Sequence, residues 1–261
     1  MKNKLKIAIN AALQAGFEIL KIYNSNDFNI KLKDDNSPLT KADLASNKII
    51  ISFLSKTKIP ILSEESKIIS YDKRKKWDVL WIVDPIDGTK EFIKKNGEFT
   101  VNISLVVDQN PVLGVIFAPA LGLLYFSSDD IGSFKYEIKS DIIDIDKVIS
   151  DSVKLPIKYK KIYTVVASKS HLNNETKEFV KKLKKEKQQI DIISAGSSLK
   201  FCLLAEGKAD CYPRFGPTME WDTAAGQSIC NNVGYSTIDQ LTKKEIKYNR
   251  KNLTNNYFLV S

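Results

Sequence analysis

Beta-rich apolar runs at IPIL (59–62), VLWIV (79–83), FTVNISLVV (99–107) and VLGVIFA (112–118) constrain this chain more than any other feature. They follow helical patterns over about 4–22 and 40–56, so the first half is expected to be mixed α and β. Beyond a polar, irregular stretch at 128–157 come strand-like IYTVVAS (162–168), a lysine-rich helix from Lys177 and IDII (190–193), then helices near 197–206 and 223–232. That alternation predicts a smaller α/β lobe. The expected division is an N-terminal α+β lobe over 1–150 and a C-terminal α/β lobe over 151–261.

Composition narrows the class. With 261 residues, 43% hydrophobic and 27% charged, the chain can bury a substantial core. The N-terminal MKNKLKIAINAALQAGFEIL begins like a signal peptide, but Asn10, Gln14 and Glu18 interrupt its apolar stretch at helical spacing, so it reads as a retained amphipathic helix. No run approaches the roughly 20 apolar residues of a membrane-spanning helix. The expectation is a cytoplasmic protein with no transmembrane segment, peripheral association with the inner face of the membrane being left open. Cys202, Cys211 and Cys230 have no CxxC spacing and read as core thiols. The net charge of +9 invites a nucleic-acid reading, but its densest run, KKLKKEK at 181–187, continues a helix whose Phe179, Val180 and Leu183 can face inward. A solvated helix face is expected there, with no nucleic-acid partner.

The segment VLWIVDPIDGTKEF carries the chemistry. A buried-type strand is expected to end at Asp84, followed three residues later by Asp87, with Pro85 fixing the backbone and Gly88 permitting close approach to a ligand. Thr89 could cap a short helix through Phe92 and aim its first amides at an anion. By itself DPIDGT describes a strand-terminating Asx-turn equally well. Glu64 and Glu65 follow IPIL, and Asp222 in TMEWDTAAG enters a small-residue helix. Each alone has an ordinary reading, as surface glutamates and a helix cap. Together these acids supply the oxygen ligands that a hard divalent cation needs.

The order Glu-Glu, Asp-Pro-Ile-Asp-Gly-Thr, Trp-Asp resembles the inositol monophosphatase-like superfamily of Mg²⁺-dependent, lithium-sensitive phosphatases. DGTKEFIKKNGEFTVNISLV, GSSLKFCLLAEGKAD and YPRFGPTMEWDTAAG are similar to its bacterial 3'(2'),5'-bisphosphate nucleotidase branch. The resemblance weakens in 128–160 and toward the C-terminus. It implies a layered α-β-α-β-α sandwich with the metal site between the lobes. It implies Glu64, Asp84 and the Ile86 carbonyl as ligands of one Mg²⁺, and Asp84, Asp87 and Asp222 as ligands of a second. Asp43, in SPLTKAD, matches the acid that hydrogen-bonds Thr89 to orient and deprotonate the attacking water, so the implied catalytic set is Asp43, Thr89 and Glu64. Glu65 supports this set electrostatically at most.

Two metals near one phosphate can position a water, neutralise the phosphoryl oxygens and stabilise the departing alkoxide, so no nucleophilic side chain is needed. His171, the only histidine, suits a capping or loop role, and no GxSxG elbow is present. GSSLK lets Ser197 and Ser198 present hydroxyls to a phosphate beside Lys200, with Arg214 beyond; a capped helix with two surface cations is the ordinary alternative. The resemblance implies that Ser197, Lys200 and Arg214 hold the phosphate that does not react, and that Gly88, Thr89 and Asp222 border the one that does. The expected partner is a small-molecule nucleotide bisphosphate. The expected reaction converts 3'-phosphoadenosine 5'-phosphate to AMP and phosphate, in sulfur assimilation, with 3'-phosphoadenosine 5'-phosphosulfate as a second substrate. The alternatives are an inositol monophosphatase or sugar bisphosphatase of the same fold, and a non-catalytic basic nucleotide- or RNA-binding protein. Against the last, RNP-like aromatics are absent and the acids would repel phosphate without metal.

Overall fold

The computed structural model describes residues 1–25, 27–33, 38–67, 69–140, 143–157, 162–167, 173–187 and 189–261; His171 lies outside them. Helix α1 (Lys2–Ser25) leads through a short pair, β1 (Lys31–Leu32) and β2 (Pro38–Leu39), to α2 (Lys41–Leu54). There follow β3 (Ile61–Ser63), α3 (Tyr71–Arg74), β4 (Val79–Asp87), α4 (Thr89–Ile93), β5 (Thr100–Val107) and β6 (Asn110–Ala118). Next come β7 (Leu123–Ser128), β8 (Gly132–Glu137), α5 (Ile145–Ser150) and β9 (Val153–Lys154). The chain ends with β10 (Tyr163–Ala167), α6 (Asn174–Glu186), β11 (Ile190–Ser194), α7 (Leu199–Glu206), β12 (Tyr212–Arg214), α8 (Glu220–Asn231), β13 (Thr237–Asp239) and β14 (Phe258–Val260).

Strands β3 to β9 form one seven-stranded sheet in sequence order. Only its β3–β4 pair is parallel. Its central strands are buried along most of their length because both faces are covered. Trp81 and Val83 of β4 pack with α1 and α2, whereas Leu80 and Ile82 pack with Phe201, Leu204, Trp221 and Ala224 of α7 and α8. Gly114 of β6 sets that second layer's depth: a Cβ there would lie 2.4 Å from the Ala225 carbonyl oxygen, so any side chain would push α8 off the sheet. Parallel β10–β11 and antiparallel β12–β14–β13 form the next layer, joined by a bridge between Val165 and Cys211. Helix α6 covers its far side, where Val180 meets Val165 and Cys211. The result is an α-β-α-β-α sandwich with α7 and α8 in its middle layer.

The 128–157 stretch departs from expectation, since β8, α5 and β9 lie within it and β7 precedes them. Strand β8 fully buries only Ser133, with Phe134 and Tyr136 partly buried against the core, so its sequence lacks the apolar density that marks β4 to β6. All three cysteines are free and buried, as expected of core thiols. No helix among the described residues is long and apolar enough to cross a membrane.

Candidate active site

In a regular strand, residues three apart face opposite sides. Asp84 pairs with Asn102 and Asp87 with Thr100, so three steps on β4 match two on β5. This bulge reverses the alternation and brings Asp87 close enough for its charge to act on Asp84. It also absorbs Pro85, which has no N–H for the ladder and whose carbonyl accepts from Ser46 Oγ at 2.8 Å. The strand therefore runs to Asp87 rather than ending at Asp84.

Gly88 then adopts a φ of 92°, which strains any other residue, and a Cβ there would crowd the Glu98 carbonyl oxygen at 3.1 Å. Gly88, not Thr89, is the N-cap of α4, which corrects the expected cap. The Thr89 hydroxyl instead faces Asp43 Oδ1 at 3.2 Å and the Ile86 carbonyl at 3.4 Å. Asp43 is held by a capping box at the start of α2, where its Oδ2 accepts from Thr40 N at 2.7 Å and Thr40 Oγ1 at 2.6 Å. Burial raises the Asp43 carboxyl above its usual range, against the pull of these donors.

Glu64 leaves β3 with its amide donating to the Val83 carbonyl at 3.2 Å, which sets it beside Asp84. Burial raises Glu64, and it raises Asp84 well above the usual range, the charge of Glu64 adding to the effect on Asp84. Asp222 sits in the first turn of α8, its Oδ2 accepting from Met219 N at 2.8 Å. Desolvation raises it too, and the charge of Asp87 adds to that. Sequence reasoning missed Lys33, whose ammonium lies 2.7 Å from Glu64 Oε1 and also pairs with Glu65. No local signal could find it, since the partners lie 31 and 32 residues away.

Gly196 opens the loop before α7, its amide donating to Glu98 Oε2 at 2.9 Å. Ser197 lines the cavity, as expected of a substrate-facing group, whereas Ser198 is buried and differs from expectation in its use. The Ser197 hydroxyl lies 2.6 Å from Thr100 Oγ1, and Ser198 Oγ donates to Asp87 Oδ2 at 2.7 Å rather than facing a phosphate. Lys200, 5% exposed, donates to the carbonyls of Ala195 at 3.3 Å and Ser197 at 2.5 Å. Arg214 donates to the Pro217 carbonyl at 3.0 Å, and its buried Nε has no partner among the described residues.

A cavity of about 360 Å³ collects these groups, lined by Asp87, Gly88, Ser197, Lys200, Arg214 and Asp222. Lys90 and Glu91 of α4, Lys94 just after it, and Phe201, Tyr212, Thr218 and Thr223 line it as well. The sequence offered a cue only for Lys90 and Lys94, which lie one helical turn apart directly after the DGT motif.

The donors suit a hard cation in kind. Glu64, Asp84 and Asp222 are carboxylates whose protonation is favoured by burial, and a divalent ion would oppose that. Among the described residues, however, no three thiol, imidazole or carboxylate side chains enclose a common ion position as they stand. Lys33 holds Glu64 and Glu65 in the meantime.

Burial lowers the Lys200 ammonium to about 8, with the charge of Asp87 opposing and that of Arg214 reinforcing the shift. Lys200 is thus charged below about pH 8 and neutral above it, so an anion bound beside it is held less tightly as pH rises. The KM for a substrate using this contact is expected to climb through pH 8 to 9 in steady-state assays. In Lys200→Ala that climb should vanish.

The family model for the inositol monophosphatase family matches residues 1–256, and the chain belongs to that family. Among its relatives, the 3'(2'),5'-bisphosphate nucleotidase CysQ of Buchnera aphidicola subsp. Acyrthosiphon pisum is 45% identical over 226 residues, 85% of this chain and 79% of that protein. The protein of the same name from Escherichia coli K12 is 39% identical over 253 residues, 96% of each chain. The crystal structure of CysQ from Bacteroides thetaiotaomicron, a bacterial member of the inositol monophosphatase family, superposes with a TM-score of 0.90 at 45% identity. It covers 100% of this chain and 97% of that one.

Proposed function

We propose that this chain is a Mg²⁺-dependent 3'(2'),5'-bisphosphate nucleotidase that converts 3'-phosphoadenosine 5'-phosphate to AMP and phosphate, with 3'-phosphoadenosine 5'-phosphosulfate as a second substrate. The carrying observation is that one cavity has carboxylates, Asp87 and Asp222, and two cations, the buried Lys200 and the half-buried Arg214, in its walls. Such a lining suits a reacting phosphate held through metal by the carboxylates and a second anion gripped by the cations. The position of Arg214 on the cavity wall supports that grip, and the names of the nucleotidase relatives supply the substrate class.

In this reading Glu64, Asp84 and the Ile86 carbonyl hold one Mg²⁺, and Asp84, Asp87 and Asp222 hold another. Bound there, the ions would neutralise phosphoryl charge and acidify a water. The protein's own groups do the rest. Asp43 accepts the Thr89 proton, which leaves the Thr89 oxygen lone pairs to take a hydrogen bond from the attacking water. Gly88 lines the cavity at the start of α4, where the phosphate would lie, and Glu65 adds negative charge next to Glu64. Lys200 and Arg214 orient the substrate through its distant phosphate, converting binding into alignment. Cytoplasmic residence accompanies the reading and is supported by the free thiols, with peripheral attachment to the inner membrane face to be tested by fractionation.

Phosphate release from 3'-phosphoadenosine 5'-phosphate, inositol monophosphate and a sugar bisphosphate tests the proposal directly. The nucleotide is expected to be the best substrate, with turnover lost in excess chelator and restored by Mg²⁺. Lithium should inhibit more than sodium at equal ionic strength, since it competes for hard oxygen ligands. Undiminished release in chelator would exclude the metal mechanism, and faster release from inositol monophosphate would exclude the substrate assignment.

A further inference from the structure

The hydrogen bonds beneath the cavity form one ordered chain. The Thr100 hydroxyl, beside Ser197, donates to Asn102 Oδ1 at 3.0 Å, and Asn102 Nδ2 donates to Ser198 Oγ at 2.7 Å. Ser198 Oγ lies 2.7 Å from Asp87 Oδ2 and 3.2 Å from the Asp222 carbonyl. An amide nitrogen only donates and a carboxylate only accepts. Ser198 must therefore accept from Asn102 and give its single proton away, and the nearer, charged oxygen is the stronger acceptor. Thr100, Asn102 and Ser198 are at most 2% exposed, so water does not compete for these bonds.

We propose that Ser198 is the positioning residue for Asp87, that Asn102 sets the direction of its hydroxyl, and that the pair ties the substrate-facing loop at 196–198 to this carboxylate. The inference rests on the reading of Asp87 as a cation-binding group. A hydroxyl that holds Oδ2 fixes the carboxylate rotamer and leaves Oδ1 to turn toward an ion, so less side-chain entropy is lost when the ion binds. Asn102 does the same for Ser198 one step further back.

Calorimetric titration of Mg²⁺ into the substrate-free protein tests this without relying on turnover. Ser198→Ala is expected to bind Mg²⁺ roughly 10- to 100-fold more weakly, the usual cost of losing a partner of a metal ligand. Ser198→Thr keeps the hydroxyl and should stay within about threefold of wild type. Asn102→Ala leaves the hydroxyl present but undirected, and is expected to fall between the two. Thermal melts in chelator confirm that each variant compared is folded, and Asn102→Ala carries the test if Ser198→Ala is not. Wild-type affinity in the folded alanine variants would overturn the inference, as would equal losses in Ser198→Thr and Ser198→Ala. Absence of Mg²⁺ binding to the wild-type protein would instead overturn the underlying reading of Asp87.

Discussion

Asp87→Asn is expected to reduce kcat/KM for phosphate release by roughly 10²- to 10⁴-fold while leaving the chain folded. The loss corresponds to about 3–5 kcal/mol of transition-state stabilisation, the several kcal/mol that a properly held metal ion contributes. Folding should survive because the amide oxygen can still accept from Ser198, and because the charge of Asp87 now disfavours ionisation of Asp84 and Asp222. Removing that charge relieves the repulsion. In chelator the variant is therefore expected to melt at or above the wild-type temperature, and with Mg²⁺ the order should reverse. Full activity in the variant would exclude Asp87 from the metal site, whereas inactivity with a collapsed melting curve would assign it a structural role.

The next largest effect concerns selectivity. Lys200→Ala and Arg214→Ala should each lower kcat/KM for 3'-phosphoadenosine 5'-phosphate by roughly 10- to 150-fold, from the loss of a charge-assisted hydrogen bond of about 1.5–3 kcal/mol. A small monophosphate without the second anion should be affected far less. Arg214 is the cleaner of the two, since Lys200 also satisfies the Ala195 and Ser197 carbonyls and its removal disturbs the loop itself. Loss mainly in KM would mean that the contact is equally strong in substrate and transition state. Loss mainly in kcat would mean that the distant phosphate helps align the reacting one. Equal losses on both substrates would remove these residues as a nucleotide clamp and bring inositol or sugar phosphates forward.

Much of this site could be read along the chain because its parts are local in sequence. Asp84 and Asp87 are separated by a Pro that interrupts a ladder, Gly88 occupies a backbone conformation that disfavours other residues, and Asp43 lies three residues beyond the threonine it caps. The two serines of GSSLK were visible as polar groups near a helix start, but not the destination of their hydroxyls. Thr100 and Asn102 of β5 read as ordinary polar interruptions of a strand, and their partners lie 97 and 96 residues away. Strand β8 escaped for a different reason, since a strand with little buried apolar surface lacks the pattern that reveals one.

Chain-local chemistry was thus sufficient for the kinds of groups: apolar runs dense enough to be buried strands, acids at their ends, and cations opening a later helix. Whether those groups meet depended on long-range geometry. A single-residue bulge reverses side-chain alternation between Asp84 and Asp87, and pairing of β4 with β5, far from the motif's own turn, is what creates it. Helix α8 carries Asp222 to the same cavity because Gly114 lets it lie against the large sheet. Lys33 reaches Glu64 and Glu65 only once the hairpin between α1 and α2 folds over them. Backbone preferences and hydrophobic periodicity act over a few residues, whereas charges converge only after packing has spent the chain's freedom on one arrangement.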